Sequence, residues 1–427
     1  MLILLFALLA LLIFIGCPIA FAIGIASLIV MQILGLSMNL AIIKIFGGID
    51  SFTLMAIPFF ILAGQIMEKA KIIEKIIVFA NSIVGRLRGG LGHANIIASM
   101  VFSGISGSGV ADTSAIGSLL IPSMVKQGYD SDFSVAVTCT SSTIGPIIPP
   151  SIPLVMYGIL TRQSIGSLFL GGVIPGLLVG FGLMAMNHLM CLKRGYEFRQ
   201  EKRVTVKGVF KAAYGSFGAL IMPSIILGGI VFGIFTATEA GAVAVVYGFL
   251  FGTIVTRTLK LKDIPEILIK SAKISAMVMY IVVMSILFSH ILSRLYFQQI
   301  IIAEILKISD VPIIIVFTIM VFLIFLGCFV DPTAMIILFA PTLAQLGEQL
   351  GYNPIHFGLF IVIVMLIGAV TPPVGSMLFV ACSIAKISIQ ESVGALPPFI
   401  LILVLVSLLV LFIPNIVLLL PNFFYGN

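Results

Sequence analysis

Two apolar stretches carry polar and backbone-breaking residues at spacings suited to holding ions. The first reads Ser103-Gly104-Ile105-Ser106-Gly107-Ser108-Gly109, with Asp112 about one helical turn further on. Glycines let a chain turn with its backbone exposed, and serine hydroxyls add neutral donors and acceptors. Such a tip can hold a small cation with carbonyl and hydroxyl oxygens. It can also hold a carboxylate with the amide N–H groups of a half-helix. Close helix packing through small residues is the competing reading. The second stretch is Ser141-Ser142-Thr143-Ile144-Gly145-Pro146-Ile147-Ile148-Pro149-Pro150, with a counterpart in Gly368-Ala369-Val370-Thr371-Pro372-Pro373. Proline there removes helical hydrogen bonds and frees carbonyls near Gly145 and Pro146. Freed carbonyls facing the tips would make two cages of neutral oxygens, suited to a hard monovalent cation, with a solute between them. A plain proline kink is the alternative.

These residues lie in sequence that belongs in a membrane. The chain has 427 residues, of which 60% are hydrophobic and only 9% charged. A soluble chain carries about 25% charged residues. Apolar runs of bilayer-spanning length recur, among them Leu2–Val30, Leu168–Met190, Val311–Cys328 and Phe399–Leu420. The first reads as a spanning helix, because it lacks the basic flank of a signal peptide. The expectation is an all-α membrane protein with about 11 transmembrane helices plus two re-entrant helical hairpins. Phe102–Pro122 and Gly327–Pro341 are the hairpins, since backbone broken by Gly and Pro cannot face lipid. Aligning Asp112 with Asp331 pairs Ala115 with Ala334, Leu119 with Leu338 and Pro122 with Pro341. After a four-residue insertion, Gly128-Tyr129 pairs with Gly351-Tyr352, Gly145 with Gly368, and Pro149-Pro150 with Pro372-Pro373. This is an internal duplication. Counting segments between the copies favours inverted repeats, the pattern of secondary transporters. One polytopic domain over residues 1–427 is expected, with repeat cores at roughly 91–190 and 311–390 and the remaining helices as scaffold.

Asp112 and Asp331 are intramembrane carboxylates, open to roles as cation partner, proton site or helix cap. Glu239 reads as a cap for a helix starting near Ala240. His93, His188, His290 and His356 are scattered without ligand spacing, and the five cysteines form no CxxC pair. No Ser-His-Asp order, paired carboxylates or Walker motif is present, which argues against an enzyme or a directly ATP-driven pump. The net charge of +7 gathers in short loops, as the positive-inside rule describes, and implies no nucleic acid. Lys193–Lys211 is placed in the cytoplasm, with Arg257, Lys260 and Lys262, and Lys69, Lys71, Lys75, Arg86 and Arg88, on the same side.

Taken together, Ile57-Pro58-Phe59-Phe60-Ile61-Leu62-Ala63-Gly64, Ser106-Gly107-Ser108, Gly145–Pro153, Gly171-Gly172-Val173-Ile174-Pro175-Gly176 and Phe235–Glu239 resemble the large membrane subunit of tripartite ATP-independent periplasmic (TRAP) transporters, over essentially the whole chain. Val110-Ala111-Asp112-Thr113 resembles the branch handling sugar acids and sialic acid more than some dicarboxylate carriers. The resemblance implies an elevator-type carrier of the ion-transporter superfamily in the bacterial inner membrane. It implies sodium-coupled uptake of an organic acid (sialic acid, sugar acid or C4-dicarboxylate), with no cofactor beyond the coupling ion Na+. A small four-helix membrane subunit, expected as a separate polypeptide, and a periplasmic substrate-binding protein are the implied partners, with membrane lipid around them. By the family pattern Ser103, Ser106, Gly145 and Ile148 would build one sodium site, and Gly327, Val330, Gly368 and Thr371 the other. Ser106, Ser108 and Asp112 would stand near the substrate. The second tip reads Gly327-Cys328-Phe329, so its ligands would be mostly backbone. A stand-alone citrate or dicarboxylate symporter and a passive channel are the alternatives.

Overall fold

The computed structural model describes residues 1–196, 206–306 and 311–426. Arg199, Lys202 and Arg203 of the main basic loop lie outside the described residues, as do the side chains of Lys207 and Lys211. Among the described residues the regular elements are helical. Helices α1 (Leu2–Phe14), α2 (Ile19–Ile33), α3 (Met38–Ile49), α4 (Ala56–Lys69) and α5 (Ile72–Val84) come first. The run expected as one spanning helix is therefore two, because Gly16 turns left-handed at φ 89° and Pro18 offers no N–H to continue the ladder. Helices α6 (Gly90–Ser106) and α7 (Gly109–Lys126) form the first hairpin, and α8 (Ser131–Ser141) and α9 (Ile152–Thr161) flank a break before α10 (Ile165–Lys193). Next come α11 (Val206–Val231), α12 (Ala237–Leu250), α13 (Ile264–Arg294) and α14 (Phe297–Leu306). The second hairpin is α15 (Pro312–Gly327) and α16 (Pro332–Gln349), followed by α17 (Pro354–Gly368) and α18 (Ser376–Ala385) around another break. Helices α19 (Ile389–Ser392), α20 (Leu396–Phe412) and α21 (Asn415–Tyr425) end the chain.

Among the described residues four segments are long and apolar enough to cross a bilayer alone: Phe52–Lys69, Ile165–Lys193, Ala237–Val255 and Leu261–Arg294. The α20–α21 pair, bent by 55°, makes a fifth. Other apolar sequence lies in helices of 10–17 residues, interrupted where Gly and Pro end the ladder. At α12 the capping expectation for Glu239 holds: its carboxylate accepts from the Thr236 N–H at 2.8 Å, and Thr236 Oγ1 accepts from the Glu239 N–H at 3.3 Å.

Helix caps fix the register of the duplication. Ser108 caps α7 and Asp331 caps α16, and both helices have 18 residues. Asp130 precedes α8 and Asn353 caps α17. Gly145 and Gly368 end the first halves of the broken helices, and Pro149-Pro150 and Pro372-Pro373 are both cis. The pairs 108 and 331, 130 and 353, 145 and 368, and 149 and 372 are each separated by 223 positions. No insertion is needed, which overturns the pairing of Asp112 with Asp331. Position 331 corresponds to Ser108, and the counterpart of Asp112 is Met335. The physical reason is that Asp331 does the capping work of Ser108, accepting from the Thr333 N–H at 2.9 Å, while Asp112 sits inside the first turn of α7.

The copies run in opposite directions. Phe133, at the start of α8, meets Phe399, at the start of α20, with ring centroids 5.9 Å apart. Tyr157 in α9 donates its hydroxyl to the Pro354 carbonyl at 3.2 Å, and His356 Nε2 lies 2.6 Å from the Val410 carbonyl near the end of α20. The start of α17 therefore lies at the opposite end of α20 from the start of α8. The packing is reciprocal: α7 lies against α18, and α16 against α9. Each hairpin's returning arm leans on the broken helix of the other copy, so one continuous core unites them. Beside this body, α4 packs with α12 and α13, and α11 joins α5 and α12.

Candidate ion and solute site

The first tip needs Gly107, whose φ of 60° lets α6 end and α7 begin without an intervening loop. A Cβ there would collide with the Pro150 carbonyl. The Ile152 N–H donates to the Gly107 carbonyl at 3.2 Å, tying the tip to the broken helix. The second copy repeats the tie, with the Gly375 N–H donating to the Cys328 carbonyl at 2.9 Å.

Behind the first tip, Ser106 Oγ donates to Asp112 Oδ1. Asp112 is fully buried, and its Oδ2 has no hydrogen-bond partner among the described residues. That oxygen faces Gly145, where a Cβ would strike it. A buried carboxylate oxygen without a donor is costly unless a proton or a cation satisfies it. Ser106, Asp112 and Gly145 thus converge. Ser103 turns its hydroxyl onto the Met100 carbonyl at 2.6 Å, and its own carbonyl accepts from the Gly107 N–H at 3.3 Å. Ile148 packs toward Gly176 on α10.

In the second copy Gly327 and Gly368 are back to back: a Cβ on Gly327 would lie 2.8 Å from Gly368 Cα. The Val330 N–H donates to the Leu326 carbonyl at 3.0 Å. Thr371 donates its hydroxyl to the Ile367 carbonyl at 2.6 Å and its N–H to the Gly368 carbonyl at 3.0 Å. Met335 occupies the place of Asp112, and the carboxylate at this tip, Asp331, is used as the cap of α16.

Between the tips lies a cavity with about 800 Å³ of empty space, its open mouth included. Ser106 and Ser108 line it, and Asp112 stands behind Ser106 outside the lining. The starts of two half-helices converge there: Ser108–Ala111 of α7 and Asp331–Thr333 of α16. The start of α7 presents N–H groups and positive partial charge that favour an anion, whereas at α16 Pro332 has no N–H and the Asp331 carboxylate already accepts from the Thr333 N–H. The wall opposite belongs to α4 and α13, through Gly64, Gln65, Glu68, Ile274 and Val278. Sequence reasoning singled out Gly64 but missed Gln65 and Glu68. Two polar residues one turn apart near the end of an apolar helix were the available signal.

The outer end of the first hairpin is clamped. Past the end of α10, Arg194 pairs with Asp132 at 2.7 Å and Asp130 at 2.9 Å, and Tyr196 donates its hydroxyl to Asp130. Donating to the Asp132 carboxylate holds the Arg194 guanidinium above its already high range.

The family model described as "Tripartite ATP-independent periplasmic transporter, DctM component" matches residues 6–416. The chain is 40% identical over 418 residues to the sialic acid TRAP transporter large permease protein of Vibrio cholerae, covering 97% of each. It is 37% identical over 380 residues to the C4-dicarboxylate TRAP transporter large permease protein of Pseudomonas aeruginosa, covering 89% of this chain and 88% of that one. With the isethionate TRAP transporter permease protein of Oleidesulfovibrio alaskensis it shares 38% over 423 residues, 99% of this chain and 66% of the other. Among solved structures, the YdaH transporter of Alcanivorax borkumensis superposes with a TM-score of 0.61 over 87% of each chain at 11% identity, a likeness of fold alone.

Proposed function

Because the chain belongs to the DctM component family of tripartite ATP-independent periplasmic transporters, and is thus a multi-pass transport permease rather than an enzyme, we propose that it takes up an organic acid across the bacterial inner membrane by sodium symport. The observation that carries this reading is the start of the half-helix α7 opening, with Ser106 and Ser108, onto one cavity between the two hairpins. The solute's acidic group would lie against the free N–H groups of Gly109 and Val110 and the Ser106 and Ser108 hydroxyls. Behind it, Ser106, Gly145 and the unpartnered oxygen of Asp112 would hold one sodium ion, with Ser103 and Ile148 completing its surroundings. Backbone oxygens around Gly327, Val330, Gly368 and Thr371 would hold a second. Sodium suits these sites because the donors are all hard oxygens.

The two hairpins and their broken helices would travel as one body against a framework containing α4, α11, α12 and α13, as in an elevator. In this reading about 11 spans cross the membrane. A small membrane subunit would pack on the framework, and a periplasmic binding protein would deliver the solute. The sialic acid, C4-dicarboxylate and isethionate relatives define the anions to test. Proteoliposomes holding the chain with its small subunit should accumulate one of these acids when given the binding protein and an inward sodium gradient. Equal uptake without sodium, or accumulation by this chain alone, would overturn the reading.

A further inference from the structure

Gln65 and Glu68 stand between the solute cavity and a neighbouring recess. The same two residues form part of the wall of a second, wider cavity, whose other lining includes Lys69, Lys71, Lys260, Lys262 and Lys270. The second cavity is built wholly on the framework, from the end of α4, the 258–262 loop and the start of α13. Thr258 fastens the loop by donating its hydroxyl to the Ala70 carbonyl at 3.0 Å. Two helices, α11 and α12, separate the Arg194 end of α10 from this loop, so both lie on the same membrane face. By the positive-inside rule that face is cytoplasmic.

The charges in this vestibule are not equivalent. Lys69 pairs with Glu266 at 2.8 Å, and Lys270 with Glu68 at 3.2 Å. Gln65 Nε2 also donates to Glu68, at 3.1 Å. The carboxylate at the throat between the cavities is therefore covered by a cation and an amide. Lys71 pairs with Glu74 at 3.8 Å. Among the described residues Lys260 and Lys262 make no ion pair, although Asp263 also lines the recess, so their charge is available to an arriving anion.

We infer that this vestibule is a transit site for the transported acid: Lys260 and Lys262 hold its carboxylate or sulfonate as it leaves the hairpin cavity, and Lys270 keeps Glu68 from repelling it in the throat. The inference rests on the transport reading above. Its physical basis is that a recess with a surplus of one sign concentrates counter-ions, strongly at low salt and weakly beyond a Debye length of about 8 Å at 0.15 M.

The probe is succinate, titrated against the full chain in phosphatidylcholine nanodiscs at low ionic strength. The transit site should bind succinate in the wild type and in Ser108→Val, which replaces the hydroxyl at the start of α7 in the hairpin cavity with an apolar group. Lys260→Gln with Lys262→Gln should weaken that binding by about fivefold. Binding that vanishes in Ser108→Val and ignores the lysine pair overturns the inference, as does failure of the wild type to bind succinate. Replacing part of the lipid with phosphatidylglycerol separates the sources of anionic groups: succinate displaced by that lipid marks a headgroup site and overturns the transit role. In reconstituted uptake with the partner subunits, Lys270→Gln should slow transport several-fold by baring Glu68, and Glu68→Gln with Lys270→Gln should restore it. A double variant as slow as the single shows a merely structural pair and overturns the throat argument. Loss of uptake in Ser108→Val with wild-type behaviour of all lysine variants would leave the transport reading intact and remove only this inference. Lysine-dependent succinate binding without sodium-driven uptake would remove the transport reading and with it the transit role, leaving an anion-binding recess alone.

Discussion

The two hairpin tips share a backbone and differ in chemistry. At positions 223 apart, Ser106 answers to Phe329, Ser108 to Asp331 and Asp112 to Met335. The first tip has a hydroxyl on a buried carboxylate, whereas the second has a phenyl ring more than half exposed and a buried thioether. Gly104 and Gly327 are also equivalent, yet they face different neighbours. A Cβ on Gly104 would strike Pro223 of α11, in the framework, while one on Gly327 would press on Gly368 of its own copy. The outer ends differ likewise: Arg194 clamps two aspartates beside the first hairpin, while neutral Asn353 and His356 serve beside the second. A duplicated frame therefore does not duplicate function. The backbone frame is symmetric, whereas the carboxylates are placed differently: Asp112 lies buried behind the first tip and Asp331 caps the returning arm of the second.

The sharpest test sets the two aspartates against each other. Asp112→Asn should cut uptake by about tenfold or more, the scale of a lost charged hydrogen bond. Asp331→Asn should stay within about twofold, because Asn caps a helix as well as Asp. Equal losses would break the asymmetry. Next, Gly327→Ala should destabilise the purified chain by about 1–3 kcal/mol, through overpacking against Gly368, and lower its melting temperature. Gly104→Ala should keep most of that stability and instead slow the initial uptake rate, since its clash lies with the framework. Sodium activation curves give a finer comparison. Ser106→Ala should raise the half-activating sodium concentration by about fivefold, and Thr371→Val by about twofold, as one hydroxyl oxygen is lost from each proposed site. The smallest effect is expected at the clamp. Arg194→Ala should cost about 1 kcal/mol in thermal unfolding, with partial rescue by Lys, which cannot reproduce the two-pronged contact with Asp132.

Much of this was legible in the sequence because its causes are local. Gly107 and the proline pairs announce broken helices wherever they stand, since their backbone constraints act within a few residues. The stretches 103–109 and 141–150 were found from residue type alone. Register was misread for an equally local reason. Asp112 and Asp331 share a letter, but one is inside a helical turn and the other at a cap, and that distinction becomes visible only when the helix start is seen. Gln65 and Glu68 were missed because their importance depends on what lies across the cavity.

By itself the sequence determined that this chain lives in a membrane, is helical and carries two related broken regions. Those conclusions need only composition, apolar run length and backbone stereochemistry. Tertiary structure decided which oxygens meet. It brought Asp112 to Gly145 across 33 positions of sequence, the starts of α7 and α16 to one cavity, and two separate lysine clusters to one vestibule beside it. Such meetings depend on how helices far apart in the chain pack, and no residue's own propensity encodes its partner across a cavity.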